Sequence, residues 1–389
     1  MQTAPDVAAD LARRRTWAEV DLDAIAHNVR ALRALLPATC RFMAVVKADG
    51  YGHGMTEVAR AAIDAGATWL GVATLHEGLA LRTAGFREPV LILGAVSPED
   101  LMATVLPRPP LSIAITSPEI LEALIATPAS GFRVHLKIDT GMTRLGLRPD
   151  DAAQTLDLLA RLRNRMALEG CFTHLATADD PESPLAAEQL AAFAPVAAMV
   201  RERFPSALVH AANSAGTIAW PGAHYDLVRV GIAMYGMYPA PILRTLMDEP
   251  LRPAMRLHSR VVRTLRVPAG TPVGYGATYR TERPTVIATV ACGYADGYPR
   301  QASNRGEAVI GGRRHPVAGR VAMDYLMLDA GDADVRVGDE VELFGESVSA
   351  DEVAKWAETI SYHVFCGIGP RVPRLYLRGG QVVDVAGPR

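Results

Sequence analysis

The chain has 389 residues, of which 49% are hydrophobic and 21% are charged, a composition that excludes intrinsic disorder. Its length favours two domains, because single hydrophobic cores stop growing at ~250–300 residues. Its formal net charge of −2 gives no excess of positive charge for binding nucleic acid, and its longest nearly apolar stretch, residues 191–200, falls short of the ~18 residues that a membrane span needs. Its four cysteines lie far apart without a CxxC pair, which argues against zinc and disulfide patterns and predicts a reducing, cytoplasmic location.

The first fifteen residues contain two aspartates and no apolar run, so we do not expect a secretory signal there. After them, short apolar runs alternate with amphipathic stretches. The runs are rich in Val, Ile or Leu, as in strands buried on both faces of a parallel sheet. Several of the stretches between them begin after Ser or Thr with Pro in the first turn, which is typical of helices. The predicted strands span residues 42–46, 68–73, 90–94, 111–116, 133–138, 168–174, 208–212 and 227–234, and the predicted helices span residues 56–65, 75–84, 118–126, 149–162 and 186–203.

Eight β/α units predict a TIM barrel. A doubly wound open sheet is the alternative, but no GxGxxG turn is present. Beyond residue 240 the chain becomes rich in Gly, Pro, Val and Arg with short alternating runs, which is typical of antiparallel strands. We therefore predict a TIM (β/α)8 barrel over residues 1–240, with the first fifteen residues as a tail or packed on the second domain, and a mainly antiparallel β domain over residues 241–389. The β strands predicted there span residues 259–267, 285–291, 308–310, 315–317 and 340–344.

Functional residues of a TIM barrel lie at the carboxyl ends of its strands. Lys47 directly follows the first predicted strand, and it is one of only three lysines among 40 basic residues. A lysine at an apolar barrel mouth is partly desolvated, which lowers its pKa and makes the amine nucleophilic. An ion pair with Asp49 or with a neighbouring strand is the alternative.

Other polar residues also follow predicted strands. Arg144 could bind a carboxylate through two parallel hydrogen bonds, or it could be a surface residue at a loop tip. Ser214, next to Asn213, is placed to bind a phosphate with its hydroxyl and the free amides of a helix start, or to be an ordinary helix N-cap. Gly231 would let backbone amides approach a ligand closely. One lysine at the mouth together with a phosphate half-site is the arrangement that pyridoxal phosphate (PLP) requires.

Six motifs in order resemble alanine racemase, a PLP enzyme with a barrel and a β domain, and the resemblance runs from about Thr16 to Tyr376. They are AVVKADGYGHG, HLKIDTGMTRLG, VRVGIAMYG, GYGATY, GYADGYPR and the Met323-Asp324 step.

The resemblance implies a role for each residue at a matching motif position. Lys47 binds PLP as a Schiff base, His174 lies beside the ring, and Arg229 faces the pyridine nitrogen. The other implied residues are Tyr51, Ser214 and the amides of Gly231 and Ile232 for the phosphate, Arg144 and the Met323 amide for the substrate carboxylate, Tyr275 as the second base, and Asp179, Tyr294 and Arg300 at a polar entrance.

Racemisation requires that the Cα proton leave one face and return to the other, so the resemblance implies two bases, Lys47 and Tyr275. A tyrosine with an ordinary pKa near ~10 needs nearby positive charge to act at pH 7, and His174 and Arg229 are the expected sources. Arg229 should also keep the pyridine nitrogen unprotonated, which favours racemisation over transamination. In the family this tyrosine reaches the partner subunit's site, so a homodimer is implied.

Two further positions follow from the resemblance. Many family members carry a carbamylated lysine at the position of Lys137, which would orient Arg144; a plain ion pair with Asp139 is the alternative. Several relatives have a phosphate-contacting tyrosine where this chain has Pro370, which offers neither a hydroxyl nor a backbone donor. We therefore expect weaker PLP binding, with Tyr51 and Ser214 contributing more.

Four other functions are compatible with parts of the sequence. They are a racemase of broader specificity, a PLP-dependent decarboxylase of basic amino acids, a non-enzymatic PLP carrier, and a metal-dependent barrel isomerase or aldolase. Arg229 argues against the decarboxylase, which would place a carboxylate near the ring nitrogen, and the β domain argues against a carrier. The ten histidines show no HxH or HExxH spacing, so no metal is expected. The family serves both cell-wall synthesis, through D-alanine for peptidoglycan precursors, and D-alanine catabolism.

Overall fold

The computed structural model describes residues 15–387, which contacts divide into two units. The barrel unit comprises Ala24–Gly50 and Met55–Arg252. The β unit comprises residues 15–23, Tyr51–Gly54 and residues 253–387. The predicted tail lies almost wholly outside the described residues. The first described strand is β1 (Thr16–Asp21), which belongs to the β unit.

The barrel unit contains eight parallel strands, each fully or largely buried and most rich in aliphatic residues. The sheet runs in the order β8-β7-β6-β5-β4-β3-β2-β9. Its two end strands approach one another, since the amide of Arg229 donates to the carbonyl of Ala212 at 3.0 Å, so the barrel is nearly closed. The strands are β2 (Arg41–Val45), β3 (Trp69–Val72), β4 (Val90–Ile92), β5 (Ser112–Ile115), β6 (Phe132–Lys137), β7 (Met166–Phe172), β8 (Leu208–His210) and β9 (Leu227–Val230).

Helices connect these strands, and their starts follow local chemistry. Thr74 and Glu77 form a capping box, and Ser117 caps a helix that has Pro118 in its first turn. Within residues 15–387, no helix combines the length and apolar character that crossing a bilayer requires. The helices are Leu22–Arg33, Met55–Asp64, Leu75–Thr83, Leu101–Val105, Pro118–Ala126, Ala152–Arg161, Leu185–Arg203 and Ser214–Ala219, and the short 3-10 helix Pro241–Leu246 follows the barrel.

The β unit is built on a sheet of nine strands that pair mostly antiparallel, with one parallel pair between β1 and β18. A separate two-stranded hairpin joins β11 to β12. The strands are β10 (Met255–Val267), β11 (Pro272–Val273), β12 (Tyr279–Arg280), β13 (Thr285–Val290), β14 (Glu307–Ile310), β15 (Arg313–Pro316), β16 (Leu326–Asp329), β17 (Glu340–Phe344), β18 (Arg374–Arg378) and β19 (Gln381–Ala386), and the helices are Ala350–Trp356 and Ser361–Gly367.

The predicted fold class, a parallel barrel followed by a mainly antiparallel β domain, is confirmed. All eight predicted barrel strands are present, with ends that differ by at most four residues from the predicted ones. Strand β1 and the helix Leu22–Arg33 were not predicted. The register pairs β1 with residues 255–259 and 374–377, partners more than two hundred residues away, which no local pattern reveals.

Candidate active site

Lys47 lies just beyond the carboxyl end of β2, at the start of a left-handed turn. Ala48, Asp49 and Tyr51 all have φ near +50° (53°, 53° and 52°), a conformation that costs energy in any residue except glycine. Carboxylates hold this turn on both sides: the amide of Ala48 donates to Glu77 at 2.6 Å, and Asp49 accepts from the amide of Met55 at 3.0 Å. The strained backbone beside Lys47 is therefore fixed by its surroundings, as expected of a functional position.

Arg229 projects from β9 and is buried, with 3% of its surface exposed. Its Nη1 donates to Nδ1 of His210 at 2.9 Å. Its Nη2 donates to the carbonyls of Thr173 and Ala211, at 2.8 and 2.9 Å, and contacts Nδ1 of His174 at 3.3 Å. A guanidinium can only donate, so both imidazoles must accept at Nδ1 and carry their proton on Nε2.

The chain of imidazoles continues inward from Arg229. Nε2 of His210 lies 2.9 Å from Nδ1 of His135, which therefore accepts in turn. Burial, followed by the charge of Arg229, lowers the pKa of His135 to about 3 and holds the pKa values of His210 and His174 well below the ordinary range. All three rings are neutral at pH 7. The neutral His174 therefore carries no positive charge of its own toward Tyr275 in this structure, because the partly buried ring lies beside the cation Arg229. Burial lowers the pKa of Arg229 to about 9, so Arg229 stays charged.

Lys137 ends β6 with its ammonium 4.9 Å from the centre of the Phe172 ring. Burial, and to a smaller extent the charges of Arg229 and Arg144, lowers the pKa of Lys137 to about 7. The carboxylate of Asp139 opposes this shift. Asp139 holds the next loop, because its carboxylate accepts the amides of residues 141–143 at 3.0 Å and that of Arg144 at 3.1 Å. Its main role is therefore to shape the loop that carries Arg144.

Ser214 is not the N-cap of its helix. Asn213 holds that position, with its Oδ1 accepting from the amide of Gly216 at 2.9 Å. The buried hydroxyl of Ser214 instead accepts from the amides of Gly231 and Ala233, at 3.0 and 3.4 Å. One hydroxyl and two amides thus converge just beyond the carboxyl ends of β8 and β9, which is a suitable donor set for a phosphate. Ile232, predicted as a donor, lies between the two amides that converge.

Tyr275 lies at the tip of the β11–β12 hairpin with 72% of its surface exposed. Met323 and Tyr294 lie together elsewhere in the β unit. The amide of Ala295 donates to the carbonyl of Met323, and that of Tyr294 to the carbonyl of Ala322, both at 3.0 Å. Arg300 begins a 3-10 turn, Arg300–Ala302, on the exposed side of the same unit.

Tyr51, Asp179 and Pro370 are the predicted residues that remain. Tyr51 is buried in the β unit with its ring 6.2 Å from that of Tyr362, and burial raises its pKa. Asp179 is exposed in the loop after β7. Pro370 is exposed as well, beside Arg371, whose guanidinium binds Asp296 and Asp324 at 2.8 Å each. The structure therefore brings two sets of predicted residues together in the barrel unit: His174, Arg229 and Lys137, and Asn213, Ser214 and Gly231.

Two family models cover most of the chain. The model of the alanine racemase N-terminal domain matches residues 20–239, and that of the C-terminal domain matches residues 254–376. The chain belongs to the alanine racemase family. It is therefore an isomerase by family, and the predicted resemblance is confirmed.

Individual relatives agree over nearly the whole length. An alanine racemase of Symbiobacterium thermophilum is 48% identical over 377 residues, which cover 95% of this chain and 98% of that protein. One from Desulfosudis oleivorans is 44% identical over 387 residues, which cover 94% and 97%. The crystal structure of alanine racemase from Bacillus anthracis with bound L-Ala-P matches with a TM-score of 0.89 at 38% identity, covering 96% of this chain and 98% of that one.

Sequence reasoning missed His135, His210 and the Ala233 amide. A signal was present for the two histidines, because each interrupts an apolar run that was predicted as a buried strand, and a buried imidazole needs a partner. The Ala233 amide carried no side-chain signal, since its direction depends on the backbone after Gly231.

Proposed function

We propose that this chain interconverts L-alanine and D-alanine with PLP bound covalently to Lys47, using Lys47 and Tyr275 as bases on opposite faces of the substrate. The observation that supports this most directly is the buried Arg229, held by acceptors on neighbouring strands. A cation in that position suits the nitrogen of a pyridine ring that must stay unprotonated. Neither the comparisons nor the geometry favours a decarboxylase or a non-enzymatic carrier.

The residues of the barrel unit fit the cofactor. Ser214 and the amides of Gly231 and Ala233 form a compact donor set for a phosphate group. Asn213 stabilises that set by capping the same helix. Tyr51, four residues after Lys47, is assigned to the phosphate as well. When bound, PLP supplies an electron sink that stabilises negative charge at the substrate Cα.

Arg229 determines where protons lie around the ring. Its guanidinium remains charged at pH 7 and has no lone pair with which to accept a proton, so it can donate to the ring nitrogen but cannot share a proton with it. The neutral His174, in contact with Arg229 at 3.3 Å, is assigned to the side of the ring. By leaving the ring nitrogen unprotonated, Arg229 would weaken the withdrawal of electrons and so would disfavour transamination.

The substrate is oriented through its carboxylate. Arg144, on the loop shaped by Asp139, and the amide of Met323 are the proposed donors. Lys47 removes or returns the Cα proton on one face, and Tyr275 does so on the other. Asp179, Tyr294 and Arg300 are assigned to a polar entrance that favours a methyl side chain.

We propose a homodimer as the active unit. Tyr275 exposes 72% of its surface at a hairpin tip, where a base without an enclosing site would be useless. A second copy of the chain would provide the enclosure, with each tyrosine entering the partner's site. We assign the enzyme to the cytoplasm because none of the four cysteines, all within the described residues, forms a disulfide, as is usual in a reducing compartment.

Lys137 is proposed to carry a carbamate. The reaction joins a neutral amine to CO2 and releases one proton, and a lysine whose pKa is about 7 is half neutral at pH 7. The negative product would relieve repulsion from Arg144 and Arg229 and would orient Arg144 towards the substrate.

Proton exchange in D2O tests the two-base assignment. Tyr275→Phe should abolish racemisation while one enantiomer of alanine still exchanges its Cα proton, because one base remains. The signal to follow is the Cα proton in the NMR spectrum of each enantiomer. Exchange of both enantiomers by the variant, with racemisation near the wild-type rate, would reject Tyr275 as the second base.

A further inference from the structure

The position of Tyr275 must be set by its backbone, because its side chain is mostly exposed. Within the hairpin tip, Gly274, Gly276 and Ala277 have φ values of 69°, 74° and 47°. Ala277 adopts the left-handed conformation without being a glycine, and this strained conformation persists only where the surroundings enforce it. Contacts with other residues of the β unit must therefore hold this tip in place.

The hairpin itself is short. Strands β11 and β12 contribute two residue pairs, Pro272 with Arg280 and Val273 with Tyr279. Hydrogen bonds between residues 270–271 and Thr281 continue the pairing away from the tip. A hairpin of this length is not stable alone, so contacts with the neighbouring sheet are needed to fix it.

Tyr279 makes such a contact. Its hydroxyl donates to Oδ2 of Asp329 at 2.7 Å, a length typical of a strong bond to a charged acceptor. Its ring packs on a buried cluster that includes Val273 of β11 and Ile287 of β13. Tyr279 therefore joins the strand pair next to the hairpin tip to the sheet formed by β13 and β16.

Asp329 is itself fixed on that sheet. It ends β16, pairs with Ile287 of β13, and accepts through Oδ1 from the hydroxyl of Thr285 and, at 3.0 Å, from the amide of Gly331. With one oxygen held by the sheet, the other is directed at Tyr279. The carboxylate thus works as a rigid acceptor whose position does not depend on the hairpin.

A second connection lies closer to the tip. Nδ2 of Asn304 donates to the hydroxyl of Thr278 at 3.1 Å, and Oδ1 of Asn304 accepts from the amide of Gly319 at 2.7 Å. Two consecutive residues that follow the tip are therefore held separately: Thr278 through Asn304, and Tyr279 through Asp329.

We propose that Tyr279 and Asp329 are positioning residues for racemisation, which hold the hairpin so that Tyr275 reaches the substrate Cα. This inference rests on the proposed role of Tyr275 as a base. Misplacing a reacting group by about 1 Å can cost on the order of 100-fold in rate, so the loss of one hydrogen bond next to the hairpin tip should be visible in catalysis.

The test compares Tyr279→Phe with Asp329→Asn and the double variant, as full-length enzyme loaded with PLP. Each single variant should lower kcat by roughly tenfold or more with a smaller change in KM, and the double variant should lose no more than Tyr279→Phe, since both remove the same bond from the Tyr279 hydroxyl to a charged carboxylate. Amide hydrogen exchange should accelerate over residues 274–278. Tyr225→Phe is the matched control, because Tyr225 precedes β9, at the opposite end of the barrel strands from Lys47.

An isotope measurement separates positioning from general damage. The two enantiomers of alanine have equal free energies, so kcat/KM must fall equally in both directions. With Cα-deuterated alanine, the isotope effect of Tyr279→Phe should rise in the direction in which Tyr275 removes the deuteron. It should fall in the direction in which Tyr275 returns a proton that has come from water.

Three outcomes bear on the inference. The opposite changes in isotope effect, together with faster exchange at the hairpin, would support it. Wild-type isotope effects and exchange in both single variants, with Tyr275→Phe inactive, would overturn it while leaving the proposed function intact. Full racemisation by Tyr275→Phe would instead reject the base on which it rests. If Tyr279→Phe does not fold, Asp329→Asn supplies the same comparison with a side chain of equal size.

Discussion

Arg229 on β9 donates from Nη1 to Nδ1 of His210 on β8, 2.9 Å away, across the two strands that close the barrel. This bond fixes more than the arginine. Because the guanidinium can only donate, it places the proton of His210 on Nε2, and that proton points to Nδ1 of His135 at 2.9 Å. One cation therefore sets the hydrogen positions along a buried row of polar side chains beneath the candidate site.

Removing the acceptor from His210 should destabilise the barrel. His210→Leu keeps most of the side-chain volume but leaves the buried Nη1 of Arg229 without this acceptor. The substitution should therefore lower the free energy of unfolding by about 1–3 kcal/mol. His210→Asn can accept through its amide oxygen and should recover part of the loss. Urea denaturation of all three proteins measures this. Equal losses in both variants would show that the bond to Arg229 contributes nothing.

Acid should destabilise the protein through His135. Its pKa is lowered from 6.5 to about 3 in the folded chain, so between these values the unfolded chain binds a proton that the folded chain does not. The free energy of unfolding must therefore fall as pH drops from 6.5 towards 3. His135→Asn keeps an acceptor for His210 and removes the titration, so its unfolding midpoint should depend less steeply on pH. The exposed His363→Asn is the control, and a slope unchanged from wild type in His135→Asn would contradict the assignment.

Ser214 should matter for cofactor affinity. Ser214→Ala removes the hydroxyl on which two amides converge, and because hydrogen bonds to charged groups contribute ~1.5–3 kcal/mol, the Kd of the apoenzyme for PLP should rise at least tenfold. Titration of apoenzyme with PLP, followed by absorbance, measures the Kd. Ser349→Ala removes a hydroxyl that caps the helix Ala350–Trp356, so it should cost stability without changing the Kd. Equal Kd values for both variants would argue against a phosphate at Ser214.

Lys137 should react with CO2 under native conditions. Wild-type protein in 13C-labelled bicarbonate should give a protein-bound carbamate signal by NMR, and the signal should weaken below pH 7 as the amine becomes protonated. Lys137→Arg should abolish it, whereas Lys355→Arg, on the exposed face of its helix, should not. A wild-type protein without the signal at saturating bicarbonate would leave Lys137 as an unmodified amine.

The sequence predicted those residues whose position depends on the chain close by. Lys47 could be found because it follows an uninterrupted apolar run, and Ser214 because it opens a helix directly after another. Both predictions use only the neighbouring sequence, because any residue that directly follows a barrel strand lies at the same rim of the barrel. Arg229 could be placed only through the family motif, since its side chain points inward from the middle of a buried strand.

The features of the candidate site that could not be predicted depend on which strands lie close together in the folded chain. The contact between His135 and His210 links β6 with β8, on either side of β7, which no pattern along the chain encodes. The neutrality of His174 follows from partial burial next to Arg229, which the sequence alone does not reveal. The left-handed turn at Ala48 and Asp49 was also hidden, because neither residue type favours positive φ strongly enough to reveal it.

The most direct test of the central claim is the absorbance spectrum of the purified protein before and after borohydride, with D-alanine formation from L-alanine followed in parallel. We predict a band near ~420 nm that borohydride removes, PLP fixed to the peptide containing Lys47, and racemisation. Lys47→Arg should lose the band and the activity, while Lys355→Arg keeps both. A protein that shows no such band even after PLP is added, or that binds PLP without racemising alanine, would contradict the account.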